Sequence, residues 1–448
     1  MSDTIFTVSD LSEKIVIVGL GVTGLSVVRF LVGKGIEPVV LDTREHPPGE
    51  SELKQQFPQV SYYFGSFDKD QLATAKQLVV SPGISVNTPE ISYAKSQGVE
   101  VVGDIELFAQ AADAPVIAIT GSNGKSTVTT LVGEIFEKAG WKTGVGGNIG
   151  LPALELLGKG NKVYVLELSS FQLETLESLK PQAAVVLNIS EDHMDRYDSF
   201  ASYIKAKESI YKNAVNVVVN RDDVVVSKMS VAENAVGFTV SQTDADDFSL
   251  QEINGQIWIV RDGKSLLNTD DLFVDGLHNV ANVMASLALI DSFDLPEESV
   301  IDAIKSFTGL PHRMQCIASS DGVNWINDSK ATNVGAAQAA IEGLAGNIIL
   351  IAGGECKDAD LSALKKPVEQ HVKNLILIGR DADKIEESCK GSTEIVHASC
   401  MYDAVVKAKQ FAVSGDHVLL SPACASFDMF KNYEHRGEVF NDAVKAVL

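Results

Sequence analysis

The stretch Val116-Ile-Ala-Ile-Thr-Gly-Ser-Asn-Gly-Lys-Ser-Thr127 joins an apolar strand to a glycine-rich loop, and the helical pattern Val128–Phe136 follows it. Glycines let backbone N–H groups crowd around phosphate oxygens, and the start of a helix adds positive potential. Ile119 stands where the full Walker pattern has a glycine, so the loop is a shortened variant. The sequence predicts an ATP-phosphate loop made of Gly121, Ser122, Asn123, Gly124, Lys125, Ser126 and Thr127.

A second glycine motif lies near the amino terminus. Gly19-Leu-Gly-Val-Thr-Gly24 follows the apolar strand Ile15–Val18, and Asp42 ends the next strand. Taken alone, this arrangement is typical of a dinucleotide-binding domain, so an NAD-dependent oxidoreductase is an alternative interpretation. Two features weaken that alternative. The chain has a separate phosphate loop, which a simple dehydrogenase does not need, and the cation Arg44 lies two residues after Asp42.

Alternation of strand and helix patterns in three stretches predicts an α/β protein with three domains. We expect Rossmann-like domains at both ends. The central domain should be P-loop ATPase-like, with a parallel sheet and a small antiparallel insertion around Trp258. The predicted boundaries are 1–103, 104–310 and 311–448, the last at a hinge indicated by Leu310-Pro311.

The composition is that of a soluble protein with an acidic surface. Hydrophobic residues make up 45% and charged residues 22%, and the formal net charge is -23. This charge disfavours nucleic acid and anionic membranes as partners. No signal peptide or membrane-spanning run is visible, and five cysteines without C-x-x-C spacing indicate free thiols. We therefore expect a cytoplasmic protein without membrane insertion.

Polar residues follow other strands of the central domain. Glu167 ends a strand close behind the phosphate loop, where a carboxylate is well placed to hold the Mg²⁺ of a nucleotide. Asn148 lies between glycines, and His193 ends Asn188-Ile-Ser-Glu-Asp-His193 near the same expected edge. A lone histidine is more often structural, but clustering at strand ends favours a functional role. Lys207 by itself is typical of an ordinary helix lysine.

Together these motifs resemble the Mur ligase family. The further matching segments are Glu167-Leu-Ser-Ser170, Gly276-Leu-His-Asn-Val-Ala-Asn282, Leu310-Pro-His-Arg313, Asn327-Asp-Ser-Lys-Ala-Thr-Asn333 and Ser421-Pro-Ala-Cys-Ala-Ser426. They span essentially the whole chain in the family's order. Gly19–Gly24, Ser81-Pro-Gly-Ile84 and Ser421–Lys431 look most like the members that add D-glutamate to UDP-N-acetylmuramoyl-L-alanine, using ATP and two Mg²⁺ ions.

The resemblance implies a role for each matching position. The UDP-substrate would contact Val22, Thr23, Asp42, Thr43, Arg44, Ser81, Gly83, Asn148, Ser169, Gln172 and His193. Besides the loop, ATP would contact Asn279, Asn282, Arg313, Asp328 and Lys330. D-Glutamate would contact Thr332, Lys357, Ser426, Phe427 and Tyr433. The implied metal ligands are Ser126, Asn148, Glu167, His193 and Lys207. In the family, the lysine that matches Lys207 is carbamylated. The implied catalytic residues are Lys125, Glu167, His193, Lys207 and Arg313.

The amino-acid site has two features of its own. Lys357 follows two glycines and Ser426 follows a strand end, so both could bind carboxylates, although exposed loop lysines and serines are as often merely solvated. Tyr433 departs from the family's pattern, because D-glutamate-adding members often have phenylalanine there.

The implied reaction transfers the ATP γ-phosphoryl group to a carboxylate, and the amine of D-glutamate then attacks the acyl phosphate. One alternative is another Mur-type or folylpolyglutamate-type amino-acid ligase. Others are the oxidoreductase named above and a non-catalytic ATP-gated binding module. A monomer is expected.

Overall fold

The computed structural model describes residues 11, 14–66, 68–229, 235–241, 247–272, 276–344, 346–356 and 359–448. These residues form three mainly parallel sheets covered by helices, and one small antiparallel sheet. The predicted fold class is thereby confirmed. Among the same residues, no helix combines the length and the apolar character that crossing a membrane requires.

The first sheet is made of short apolar strands. They are β1 (Ile15–Val18), β2 (Val39–Asp42), β3 (Ser61–Phe64), β4 (Gln77–Val80) and β5 (Glu100–Val102). The helices are α1 (Val22–Gly33), α2 (Glu50–Gln56), α3 (Lys69–Leu72), α4 (Pro89–Ser96) and α5 (Asp104–Ala111). The parallel order β3-β2-β1-β4-β5 is Rossmann-like.

The turn between β1 and α1 depends on glycine. Helix α1 begins at Val22, inside the motif Gly19–Gly24. A Cβ on Gly24 would lie 2.0 Å from the carbonyl oxygen of Gly19. Only glycine therefore lets α1 start so close to the end of β1.

The central domain places its phosphate loop in the middle of a sheet edge. Its strands are β6 (Val116–Thr120), β7 (Thr143–Gly147), β8 (Val163–Glu167), β9 (Ala183–Val186), β10 (Asn216–Asn220) and β11 (Val236–Phe238). Its helices are α6 (Lys125–Lys138), α7 (Ser170–Leu173), α8 (Phe200–Glu208), α9 (Leu277–Ile290) and α10 (Glu297–Ser306). The parallel order is β11-β10-β9-β6-β8-β7. The ends of β8 and β9 therefore flank the loop that follows β6.

The small antiparallel sheet lies where the hairpin pattern around Trp258 predicts it. Its strands are β12 (Ser249–Ile253), β13 (Gln256–Arg261) and β14 (Lys264–Asn268), in the order β12-β13-β14. Asp262 and Gly263 form the turn between β13 and β14, and both have positive φ angles.

The third sheet gathers the loops that the sequence assigns to the amino acid. Its strands are β15 (Gln315–Ser320), β16 (Val323–Asn327), β17 (Ile348–Gly353), β18 (Val372–Ile378), β19 (Glu394–His397) and β20 (His417–Leu420). Its helices are α11 (Val334–Glu342), α12 (Lys365–His371), α13 (Ala382–Cys389), α14 (Met401–Phe411) and α15 (Tyr433–Val447). The order is β15-β16-β20-β17-β18-β19, and only the edge strand β15 runs antiparallel to its neighbour.

The first and central sheets share packing across α5. The ring of Phe108 lies edge-on to Tyr164 of β8, with ring centroids 5.1 Å apart. Arg29 of α1 forms ion pairs with Glu52 in its own domain and Glu155 in the central one. An aromatic contact and an ion pair therefore both connect the first and central domains.

The cysteines correct one expectation. The structure pairs Cys356 with Cys424 as a disulfide, so not all five cysteines are free thiols. Their Cα atoms are 4.6 Å apart, next to the backbone pair between Glu355 and Ala425. The two cysteines are 68 residues apart in sequence, and only the neighbouring positions of β17 and β20 bring them together.

Candidate active site

The phosphate loop is held by the segment that follows β9. The backbone N–H of Asn123 donates to Asn188 Oδ1 at 2.8 Å, and Asn188 Nδ2 donates to the Asn123 carbonyl at 3.1 Å. Ser122 Oγ accepts from the Ser190 N–H at 2.9 Å. Gly124 has a φ of 82°, which favours glycine at the start of α6. The loop is thus fixed with its helix N-terminus facing a cavity.

Lys125 and Lys207 meet at the base of this loop. Each ammonium donates to the carbonyl oxygen of Gly121 at 2.8 Å. Lys207 on α8 is 2% exposed, so it is not the solvated helix lysine that its local sequence indicates. Burial, and secondly the charge of Lys125, lower the pKa of the Lys207 amine well below its usual value. Burial therefore shifts the protonation equilibrium of this amine toward its neutral form.

Glu167 and Asn148 lie together beside the loop. Asn148 Nδ2 donates to Glu167 Oε1 at 2.7 Å, and the Asn148 N–H donates to the Glu167 carbonyl at 2.8 Å. Within the described part of the chain, the buried Glu167 Oε2 has no hydrogen-bond partner. An unpaired buried carboxylate oxygen is costly unless a cation meets it. The residues present therefore fit a hard divalent cation here.

His193 lies in the segment that follows β9 and has a left-handed backbone conformation, with a φ of 58°. Its ring packs against Phe171 with centroids 4.9 Å apart, and its Nε2 lies 3.6 Å from an oxygen of Asp192. Asp192 was not predicted as a site residue, but it connects His193 to the third domain.

That connection runs through the third domain's first helix. Asn333 caps α11 and lies 3.3 Å from Asn123 Oδ1 and 3.4 Å from Asp192 Oδ2. Arg313 Nη2 donates to Ser126 Oγ at 2.7 Å. The third domain therefore contacts both the phosphate loop and the segment after β9.

A cavity of about 400 Å³ lies between the central and third domains. The predicted ATP residues that line it are Asn123, Gly124, Thr127, Asn279, Asn282, Arg313, Asp328 and Lys330. The lining also includes apolar residues that the sequence analysis did not assign to the site, among them Phe238, Val240 and Leu277. Leu277 is 61% exposed, and its place between Gly276 and His278 in a motif assigned to ATP was the signal available in the sequence.

Three ionisable residues that line this cavity have pKa values shifted by burial. Burial raises the pKa of Asp328 to about 7, although Ser421 Oγ donates to it at 2.8 Å. Burial likewise lowers the pKa of Lys330 to about 8 and lowers the pKa of Arg313. Cations that pay a burial cost while lining a cavity suit an anionic ligand.

A second cavity, of about 420 Å³, lies between the first and central domains. Thr43 and Gly83, two of the residues that the sequence analysis assigns to the UDP-substrate, line it. Ser81 Oγ donates to the Gly19 carbonyl at 3.0 Å, which ties the two predicted loops together. Val22 and Thr23 begin α1 close by, and Val22 is 70% exposed.

Asp42 offers this cavity no free oxygen. It is buried, and its carboxylate accepts from the Leu20 N–H at 2.7 Å and from the Arg44 side chain at 2.6 and 2.8 Å. Both oxygens are used, so a dinucleotide ribose would find no acceptor here. Asp42 instead orients Arg44.

Arg196 is the cation that the sequence analysis missed at this cavity. Its guanidinium lies 4.3 Å from the Phe171 ring centroid, and Nη1 donates to the Gly83 carbonyl at 3.3 Å. Its position three residues after His193 was the available signal, but the contact with the first domain is not local.

Ser169 and Gln172 are engaged within the protein. They form the capping box of α7, and Gln172 Nε2 also lies 3.3 Å from Asp104. Burial raises the pKa of Asp104 to about 6. Gln172 is 3% exposed, so its predicted contact with the UDP-substrate would require α7 to shift.

The predicted D-glutamate residues lie on the edge loops of the third sheet. Ser426 is buried and Phe427 is 67% exposed, whereas Thr332 is partly buried. The ring of Tyr433 packs over Lys330. Lys357 lies outside the described residues.

Family models match three consecutive segments. Residues 13–103 match "Mur ligase MurD-like, N-terminal domain", residues 119–290 match "Mur ligase middle domain", and residues 312–424 match "Mur ligase, glutamate ligase domain".

Relatives match over nearly the full length. The chain is 48% identical over 438 residues to a UDP-N-acetylmuramoylalanine--D-glutamate ligase of Pseudomonas savastanoi pv. phaseolicola, covering 96% of this chain and 98% of the relative. It is 49% identical to the protein of that name from Marinobacter nauticus, covering 97% and 98%.

Solved structures share the fold at low identity. A pseudomurein peptide ligase type C from Methanothermus fervidus has a TM-score of 0.64 at 18% identity, covering 98% of this chain and 100% of that one. A UDP-N-acetylmuramate-alanine ligase from Thermotoga maritima has a TM-score of 0.60 at 19% identity, covering 97% and 100%.

Proposed function

This chain belongs to the Mur ligase family, and from that premise we propose that it uses ATP to join D-glutamate to UDP-N-acetylmuramoyl-L-alanine. One observation carries the proposal furthest. The phosphate loop of one domain and the cations Arg313 and Lys330 of another line a single cavity. An enzyme that must protect a reactive acyl phosphate needs such a site between domains.

In this proposal the three ligands use the sites described above. ATP occupies the cavity of about 400 Å³, and the UDP-substrate occupies the cavity beside Thr43, Gly83 and Arg196. D-Glutamate binds at the edge loops that carry Thr332 and Ser426. Lys357 remains a predicted contact on sequence grounds alone.

Mg²⁺ is the family's usual metal, and we propose Ser126, Asn148, Glu167, His193 and Lys207 as residues that would hold two ions. The unpaired Oε2 of Glu167 supports this for at least one ion. When bound, Mg²⁺ would neutralise charge on the phosphates.

Lys207 fits this set only after its charge is reversed. An ammonium beside metal ions is repelled, whereas a carbamate supplies the oxygen ligands that Mg²⁺ prefers. The neutral amine attacks CO₂ and releases its proton, and burial with a lowered pKa favours that neutral amine. The carbamylation of Lys207 is therefore part of the proposal.

The reaction follows from what these residues can do. Lys125 and Arg313 would hold the terminal phosphate while the substrate carboxylate attacks phosphorus and ADP leaves. The amine of D-glutamate would then attack the carbonyl carbon, and phosphate would leave. The contacts of Asn333 with Asn123 and Asp192 support a closed arrangement that excludes water from the acyl phosphate.

We also propose that the enzyme acts as a monomer in the cytoplasm. ATP and nucleotide-activated substrates are cytoplasmic reactants, which supports the location, and the monomer is carried over from the sequence analysis.

Phosphate release tests the proposal. Purified protein receives ATP, Mg²⁺ and UDP-N-acetylmuramoyl-L-alanine, and each amino acid is added in turn. D-Glutamate should stimulate release far more than any other amino acid. Stimulation by a different amino acid would indicate another ligase of the family, and no stimulation by any would favour an ATP-gated binding module.

A further inference from the structure

The ammonium of Lys330 faces the nucleotide cavity without a polar partner. Among the described residues, its Nζ makes no hydrogen bond or ion pair, although the side chain lines the cavity with Arg313 and Asp328. Nζ lies over the ring of Tyr433, 3.7 Å from the ring centroid. Cation–π contacts form within about 6 Å of a ring centroid. The ammonium of Lys330 therefore packs on an aromatic face instead of pairing with a carboxylate.

Hydrogen bonds connect the segment that carries Lys330 to the start of α15, which carries Tyr433. Tyr433 opens α15, and its carbonyl accepts from Ser329 Oγ at 2.9 Å. Arg436, on the same helix and fully buried, donates to Ser329 Oγ at 3.0 Å and to the Ser329 carbonyl at 2.8 Å. The neighbouring Lys330 N–H donates to the His312 carbonyl at 3.0 Å. The backbone positions of Lys330 and Tyr433 are therefore linked through Ser329 and Arg436.

His312 closes the other edge of the ring. Its imidazole lies edge-on to Tyr433, at 81° with centroids 6.4 Å apart. A Cβ on Gly437 would lie 2.3 Å from His312 Nδ1, so α15 approaches this imidazole closely because residue 437 is glycine.

The choice of a ring has an electrostatic consequence. A carboxylate beside Lys330 would hold the ammonium but would also repel phosphate and occupy its N–H donors. The π face attracts the cation and leaves the N–H groups on the cavity side available. The surrounding charges oppose protonation, because burial, Arg313 and Lys125 all lower the pKa of Lys330, while Glu167 and Glu434 raise it. A favourable contact with the ring offsets part of that cost.

We propose that Tyr433 is a positioning residue for the nucleotide: its ring holds the Lys330 ammonium so that the ammonium points at the ATP phosphates. The side chain would thus serve the nucleotide, whereas the sequence resemblance assigned Tyr433 to D-glutamate. The inference rests on the proposed function only for the identity of the anion as ATP.

Nucleotide binding without turnover tests this inference. A non-hydrolysable ATP analogue with Mg²⁺ is titrated calorimetrically into wild-type, Tyr433→Leu, Tyr433→Met and Tyr433→Phe proteins, without UDP-substrate or amino acid. A cation–π contact of this kind is worth a factor of about 3 to 30 in affinity. Both aliphatic variants should therefore bind the analogue about 3- to 30-fold more weakly, and Tyr433→Phe should restore the affinity.

A double-mutant cycle separates positioning from general damage. With Lys330→Met as the background, Tyr433→Leu should cause no further loss of affinity, because the ring has no ammonium to hold. Melting temperatures of all variants show whether each is folded. The KM for D-glutamate should stay near the wild-type value in Tyr433→Leu.

Three results would overturn the inference. The first is unchanged analogue affinity in both aliphatic variants. The second is an equal loss in the Lys330→Met background, which would indicate a structural role. The third is a higher KM for D-glutamate with unchanged nucleotide affinity, which would return Tyr433 to the amino-acid site. The cycle is read without turnover, so a failure of D-glutamate to stimulate phosphate release would overturn the proposed function alone.

Discussion

Substitution of Arg313 tests the contact between the third domain and the phosphate loop. Its Nη2 donates to Ser126 Oγ at 2.7 Å, and its guanidinium lines the nucleotide cavity. Arg313→Ala deletes a cation from that wall and leaves the hydroxyl of Ser126 without this donor. We expect weaker ATP binding and slower turnover, with UDP-substrate binding preserved because the cavity proposed for that substrate is separate.

The magnitude follows from the contacts. Losing one hydrogen bond to a charged group costs about 1.5–3 kcal/mol, or about 10- to 150-fold in affinity. Arg313→Lys keeps the charge but loses the planar fork of donors, so its loss should lie between wild type and Arg313→Ala. Lys445→Ala, in the same domain, is a matched control, because Lys445 is exposed and, among the residues that the structure describes, forms an ion pair with Asp442 alone, at 3.8 Å.

The assay is calorimetric titration of an ATP analogue, together with kcat/KM for ATP from phosphate release. Arg313→Ala should lose about 10- to 150-fold in each, and Lys445→Ala should match wild type. An Arg313→Ala variant that stays within about twofold of wild type in both would refute the reasoning that this cation meets the nucleotide.

Three further predictions concern single side chains. Ser426→Ala should raise the KM for D-glutamate about tenfold or more and leave the KM for ATP near wild type, since the lost hydroxyl contacts the carboxylate of one ligand only. Steady-state kinetics measures both constants, and an unchanged KM for D-glutamate would place the acceptor site elsewhere. Lys207→Ala should be nearly inactive and partly rescued by short carboxylates but not by short amines, in a phosphate-release assay; full activity without rescue would restore the view of Lys207 as an ordinary lysine. Asp328→Asn should flatten the pH dependence of stability. Burial raises the pKa of Asp328 from 3.8 to about 7, so its contribution is fully present below about pH 4 and is lost as pH rises through 7. Melting temperatures of both proteins from pH 4 to 8 test this, and parallel curves would contradict it.

Local patterns predicted those parts of the molecule that depend on local physics. The strand, glycine loop and helix around Lys125 were predicted, because the loop's shape depends on residues adjacent in sequence. The hairpin after Trp258 was predicted for the same reason.

Contacts between distant segments were not predictable in this way. Arg196 reaches Gly83 across a domain boundary, and Tyr433 packs on Lys330 from a helix about a hundred residues later. Asp42 ends a strand as a ligand-binding acid does, but Arg44 occupies its oxygens. Sequence spacing indicates which residues reach an edge of a sheet; which partner each side chain finds there depends on the tertiary packing.

The identity of the product tests the central claim most directly. The protein is incubated with UDP-N-acetylmuramoyl-L-alanine, ATP and Mg²⁺, with either D-glutamate or L-glutamate, and the nucleotide products are weighed by mass spectrometry. The account predicts a product heavier by one glutamyl residue, with one ADP formed for each, from D-glutamate but not from L-glutamate. Absence of that product, or equal formation from both enantiomers, would contradict it.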